Sequence, residues 1–148
     1  MIMAFFQSKS ILTNAVQEYE DFENSLCICE STEKKAYMYL LVNRSLKLTP
    51  GKIASQVGHA VEKIVTTCNK KQSYKTYLRN GTPKIVLSVP SEEEFISILD
   101  KTKHLFKVYI VDEGLTQCKE NSVTVVGFEP IFESKKPDVF NKLSLYNK

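Results

Sequence analysis

Two hydrophobic periods alternate along this chain, and the places where one gives way to the other mark its elements. Residues 36–42 (AYMYLLV) form an unbroken apolar run, the pattern of a strand covered on both faces. From Ile53 the apolar positions change to helical spacing, through Val57, Val61, Ile64 and Cys68. Thr49 is placed to N-cap this helix and Pro50 suits its first position. The pattern carries the helix to about Lys70 and resumes it around Tyr74–Leu78, until Gly81 and Pro83 stop it. Residues 84–89 (KIVLSV) return to strand character. Ser91 and Glu94 then stand at capping-box spacing ahead of Phe95, Ile98 and Leu99. Residues 107–111 and 122–127 read as two further strands, and Leu143 to Tyr146 close the chain after a proline-bounded turn. The order β-α-β-α-β-β predicts a single α/β domain, a small mixed sheet covered by helices.

The first 34 residues follow a different pattern. Ile11, Leu12, Ala15 and Val16 recur at helical spacing and lead into the acidic stretch Glu18 to Glu23. Residues 1–34 are expected to form an acidic, partly helical extension, and residues 35–148 the domain.

Charge sharpens this division. The formal net charge of +3 is the balance of two unlike parts. Residues 1–30 carry one Lys against five acidic residues, a net of −4, which leaves +7 on the remainder. Between residues 44 and 84, nine Lys or Arg face only Glu62. Such a segment points to a polyanionic partner, with a solvated polar surface as the plainer alternative.

With 148 residues, 43% of them hydrophobic and 25% charged, the chain has the composition of a globular domain that needs no metal or disulfide to fold. No apolar run approaches the roughly 20 residues of a membrane span, and the N-terminus lacks a signal-peptide pattern. The four cysteines, at 27, 29, 68 and 118, do not have zinc-site spacing. Reduced thiols in a cytoplasmic protein are the expectation.

Candidate chemistry is found in two places. On the first helix, Lys52, Gln56, His59 and Lys63 share an arc of about 60°, away from the apolar arc. Lys52 sits in the first turn, where the helix dipole disfavours a cation, so an anion or carboxylate nearby would offset that placement. A solvated helix face is the alternative. The second place is Asp112, at the end of the third strand, where α/β sheets hold ligand and catalytic groups. It is followed by Gly114, Thr116 and Gln117, and Thr124 belongs to the next strand. An Asx turn is the alternative for Asp112. No nucleophile elbow, P-loop or dinucleotide fingerprint is present.

Taken in order, residues 41–60 (LVNRSLKLTPGKIASQVGHA), 84–94, 112–117 (DEGLTQ) and 122–125 (SVTV) resemble the type II peptidyl-tRNA hydrolases. That family joins a Gly-Lys-x-Ala-x-Gln-x-x-His-Ala helix to a later Asp-x-Gly-x-Thr-Gln loop and a Ser-x-Thr-Val strand. The resemblance covers about residues 36–146. Glu113 replaces the usual Ala, Asn121 stands where Gly is common, and the segment from Phe132 to Phe140 is hard to align.

The resemblance implies a four-stranded mixed sheet with helices on both faces, often as a dimer. It also implies hydrolysis of the ester between a peptide and the terminal ribose of tRNA. Lys52, Asp112 and Thr116 match positions regarded as catalytic, while Gln56, His59, Gln117 and Thr124 would shape the cleft.

Ester hydrolysis requires an activated water and stabilisation of a developing oxyanion. Asp112 is the candidate to orient water, and Lys52 to pair with it and then hold negative charge. Arg44, Lys47, Lys63, Lys70, Lys71, Lys75, Arg79 and Lys84 are candidates for the acceptor-stem phosphates of peptidyl-tRNA. Tyr74 or Tyr77 could stack on the terminal bases, although burial in the core is the commoner explanation for such aromatics. The scheme requires no metal or organic cofactor. A catalytically inactive RNA- or protein-binding module that retains the fold is the competing interpretation.

Overall fold

A computed structural model describes residues 33–112 and 121–147. Residues 1–32 of the N-terminal extension and the positions Thr116 and Gln117 lie outside the described residues. In chain order the elements are β1 (Ala36–Asn43), α1 (Pro50–Cys68), α2 (Gln72–Arg79), β2 (Lys84–Val89), α3 (Glu92–Lys101), β3 (Lys107–Asp112), β4 (Ser122–Phe128), β5 (Ile131–Phe132) and β6 (Ser144–Leu145).

The sheet runs β3-β4-β1-β2-β6, with β5 paired to β1. β1 and β2 are parallel, Met38 opposite Lys84 through Asn43 opposite Val89. β4 is antiparallel to β1 and to β3, and β6 is antiparallel to β2. The mixed α/β class agrees with expectation, but the sheet has six strands rather than four. One added strand arises at Glu129-Pro130, which interrupts the chain after Phe128 before Ile131 and Phe132 pair with Tyr37 and Ala36. The other lies on the outer side of β2 at Leu87 and Ser88, extended by Tyr146 N–H to the Val86 carbonyl at 2.9 Å. Two-residue strands are too short to show a period.

β1 explains why both faces are covered. Met38, Leu40 and Val42 point toward α1, where Ile53, Ala60 and Ile64 are buried. Tyr39 and Leu41 point the other way, against Phe95 and Ile98 of α3, together with Leu87, Val89, Val126 and Phe128. A central strand apolar on both faces requires this arrangement. Gly127 lets α1 approach the sheet closely: a Cβ there would stand 2.7 Å from Ile64 Cδ1 and 3.2 Å from Ala60 Cβ.

The helix starts follow their caps. Thr49 accepts from Lys52 N–H with Pro50 in the first turn, and Ser91 accepts from Glu94 N–H at 3.2 Å. α1 is therefore anchored at its N-terminus beside the end of β1, which sets where Lys52 stands.

Candidate active site

Three side chains converge at the ends of β1 and β3. Asp112, the last residue of β3, is 3% exposed. Its side chain follows Ile110 along the alternation of β3 and so faces α1. There Lys52 Nζ forms an ion pair with Asp112 Oδ2. One helical turn on, buried Gln56 donates its Nε2–H to the same oxygen at 3.3 Å. A buried carboxylate is tolerable only when paired and hydrogen-bonded, and α1 supplies both a cation and an amide. Asp112 is in turn the anion that offsets a lysine in the first turn of a helix. Lys52 keeps 21% of its side chain exposed, so the pair is reachable from solvent.

The backbone of Asp112 is held as firmly. It pairs with Ser122, and its carbonyl accepts from Asn121 N–H at 2.8 Å. Asn121 has φ +65°, left-handed backbone that Asn tolerates better than most side chains, which accounts for an amide where glycine is common. The register of β3 against β4 shifts at Ile110/Val111, leaving Thr124 as an extra residue in β4. Thr124 is fully buried and donates its hydroxyl to the Ile110 carbonyl at 3.0 Å. Its hydroxyl hydrogen is thus committed to holding the bulge, two residues before Asp112.

Asn43 was not among the residues singled out from the sequence. It is buried, donates to the Val123 carbonyl at 3.2 Å, and accepts from Ser45 N–H and Ser45 Oγ. It ties the end of β1 and the turn after it to the start of β4. Its signal was present: an Asn two residues before Ser at a strand end is an Asx turn.

The other expected residues are distributed unevenly. His59 is exposed, with its ring Nε2 3.5 Å from Ser55 Oγ. Arg44 and Lys47 are exposed in the turn between β1 and α1, at the same end as Lys52. Lys63 is exposed along α1. Lys70, Lys71, Lys75 and Arg79 belong to the far end of α1 and to α2, since Lys52 and Cys68 are separated by about 24 Å of helix. Lys84 opens β2 at that far end. Lys71 is ion-paired with Glu129, and Lys84 lies 5.5 Å from the Tyr77 ring centroid. Tyr74 and Tyr77 are buried in contact with each other, so the core accounts for them rather than stacking on bases. Among the described residues, no three His, Cys, Asp or Glu side chains gather where they could hold a metal ion. None of the helices among those residues is long and apolar enough to cross a membrane.

A family model described as Peptidyl-tRNA hydrolase PTH2 matches residues 36–146. The chain is 34% identical over 116 residues to a peptidyl-tRNA hydrolase of Saccharolobus solfataricus, covering 73% of this chain and 97% of that one. It is 34% identical over 99 residues to the peptidyl-tRNA hydrolase of Metallosphaera sedula, covering 63% and 85%. With the mitochondrial peptidyl-tRNA hydrolase 2 of Mus musculus it shares 35% over 121 residues, covering 79% and 66%.

Proposed function

The chain belongs to the peptidyl-tRNA hydrolase PTH2 family, and from that premise we propose how its residues divide the work. The reaction is hydrolysis of the ester between a peptide and the 3′-terminal ribose of tRNA. The carboxylate of Asp112 orients a water and takes its proton as the oxygen attacks the ester carbonyl. Lys52, already beside that carboxylate, stabilises the negative charge that develops on the carbonyl oxygen. Collapse of the intermediate breaks the bond to the ribose 3′ oxygen, which leaves with the proton that Asp112 had taken. Gln56 holds Asp112 Oδ2 in place throughout. Thr116 positions the water, a role assigned by its place in the Asp-x-Gly-x-Thr-Gln motif.

The observation that carries this scheme is the Lys52–Asp112 pair: a cation and a buried carboxylate at a strand end, one side open to solvent. Arg44 and Lys47 at the same end, with Lys63 along α1, supply phosphate contacts to the acceptor stem. The more distant lysines engage the RNA only where its helix extends along α1. A homodimer and a cytoplasmic location belong to the same proposal; exposed Tyr109 and Val111 on the edge strand β3 support the first. The test is incubation with peptidyl-tRNA and with unblocked aminoacyl-tRNA. Release of free tRNA and intact peptide from the first is expected. A protein that binds peptidyl-tRNA and never releases the peptide would contradict it.

A further inference from the structure

Behind the strand pair that carries Asp112, a groove of about 480 Å³ lies between α3, the start of β4, and Asn43 and Leu46 at the end of β1 and the turn after it. That volume falls within the roughly 300–1,000 Å³ of small-ligand pockets. Its apolar wall is Phe95, Ile96 and Leu99 of α3 with Val123 of β4. Ile96 is 60% exposed at the rim of this wall, where a bound apolar group would cover it. Among the described residues that line the groove, Glu92 alone is ionisable, and Asn121 adds an amide.

We infer that this groove receives the peptide half of the substrate, at residues upstream of the esterified one. The inference rests on the hydrolase reading given above and adds to it where the acyl chain goes. Three observations support it. The groove borders the site across the strand end, because Asn121, Ser122 and Val123 line it while Asn121 and Ser122 bond and pair with the Asp112 backbone. The two halves of the substrate differ in charge, and a phosphate beside the Glu92 carboxylate is repelled, whereas Arg44, Lys47 and Lys52 attract it. A peptide matches the lining: apolar side chains on Ile96, Leu99 and Val123, and backbone amides on Glu92 and Asn121.

Length decides which residue occupies the groove. Asp112 faces α1 and the groove faces α3, so the chain must pass from one face of the sheet to the other, on the order of 10 Å. An extended peptide covers that in about three residues, at roughly 3.3 Å each. The groove therefore reads a residue two or three positions before the ester. It is a specificity subsite that a single aminoacyl group cannot reach.

The test compares tripeptidyl-tRNAs that share the esterified residue and carry Leu or Gly at the first position. For the wild type, kcat/KM should favour Leu by about tenfold, mainly through KM, the usual scale for filling an apolar pocket. Ile96→Asp, at an exposed position, should bring the ratio near one. A ratio near one in the wild type would overturn the inference. So would an equal loss on both substrates in the variant, which would place the terminal base of the RNA in the groove. A second measurement does not depend on turnover: methyl resonances of Ile96, Leu99 and Val123 should shift with N-acetyl-leucine N-methylamide and not with adenosine monophosphate. The reverse pattern, or no shift with the peptide probe, overturns the proposal. Absence of turnover by the wild type would instead count against the hydrolase reading, and the methyl shifts would still decide the groove.

Discussion

Asp112 Oδ2 receives a lysine ammonium and a glutamine amide at once, and that double contact defines the site at the scale of single residues. Hydrogen bonds to a charged group are worth about 1.5–3 kcal/mol, so removing the amide should be felt in the chemistry. Gln56→Leu is expected to lower kcat roughly tenfold or more with KM nearly unchanged, measured under saturating peptidyl-tRNA. An unchanged kcat would show that the amide serves only to fill space.

A second residue-scale effect concerns stability. Burial in the core, reinforced by neighbouring Tyr37 and Glu133, pushes the Tyr39 phenol up to about 12 from 10. The folded chain thus holds a proton that the unfolded chain releases first. The stability Tyr39 contributes is full below pH 10 and is lost as pH rises from about 10 to 12. Denaturant melts across that window should show this loss, and Tyr39→Phe should reduce it; identical slopes would contradict the assignment.

Elements place these residues, and here packing sets the tolerance. α1 crosses the sheet at Gly127, where a side chain would collide with Ile64 and Ala60. Gly127→Val should therefore cost about 1–3 kcal/mol by overpacking, read from the denaturation midpoint. A variant as stable as the wild type would mean that the helix can withdraw freely. The same helix shows what the sequence makes visible. Thr49, Pro50 and the spacing from Ile53 to Cys68 encode its start and buried face locally, so α1 and Lys52 were legible. Asp112 was legible because an apolar strand ends on it. β5 and β6 were not, since Ile131–Phe132 and Ser144–Leu145 contain no full period and exist only through their partners. Nor was the groove, whose walls come from three distant segments around Asn43, Phe95 and Val123. Tyr74 and Tyr77 took the commoner of their two alternatives, burial in the core, because in sequence a tyrosine offered to a base looks the same as one closing a core.

For the whole molecule, the arrangement of charge matters more than its sum. Nine basic residues between 44 and 84 read as one stripe in the sequence, but the fold sends Arg44, Lys47 and Lys52 to one end of α1 and Lys70 onward to the other. Arg44→Gln and Lys47→Gln should each reduce the slope of log KM against log salt by about 0.7–0.9, the value of one released counterion. Lys71→Gln should reduce it less, because that ammonium is already paired with Glu129. Equal slopes for all three would return the stripe to a general polar surface. The scheme itself depends on the Lys52–Asp112 pair, and single-turnover hydrolysis of peptidyl-tRNA tests that most directly. With circular dichroism confirming the fold, Asp112→Asn is expected to lose about 10²–10⁴ in rate and Lys52→Ala about 10²–10³. Rates within twofold of the wild type in both variants would contradict it.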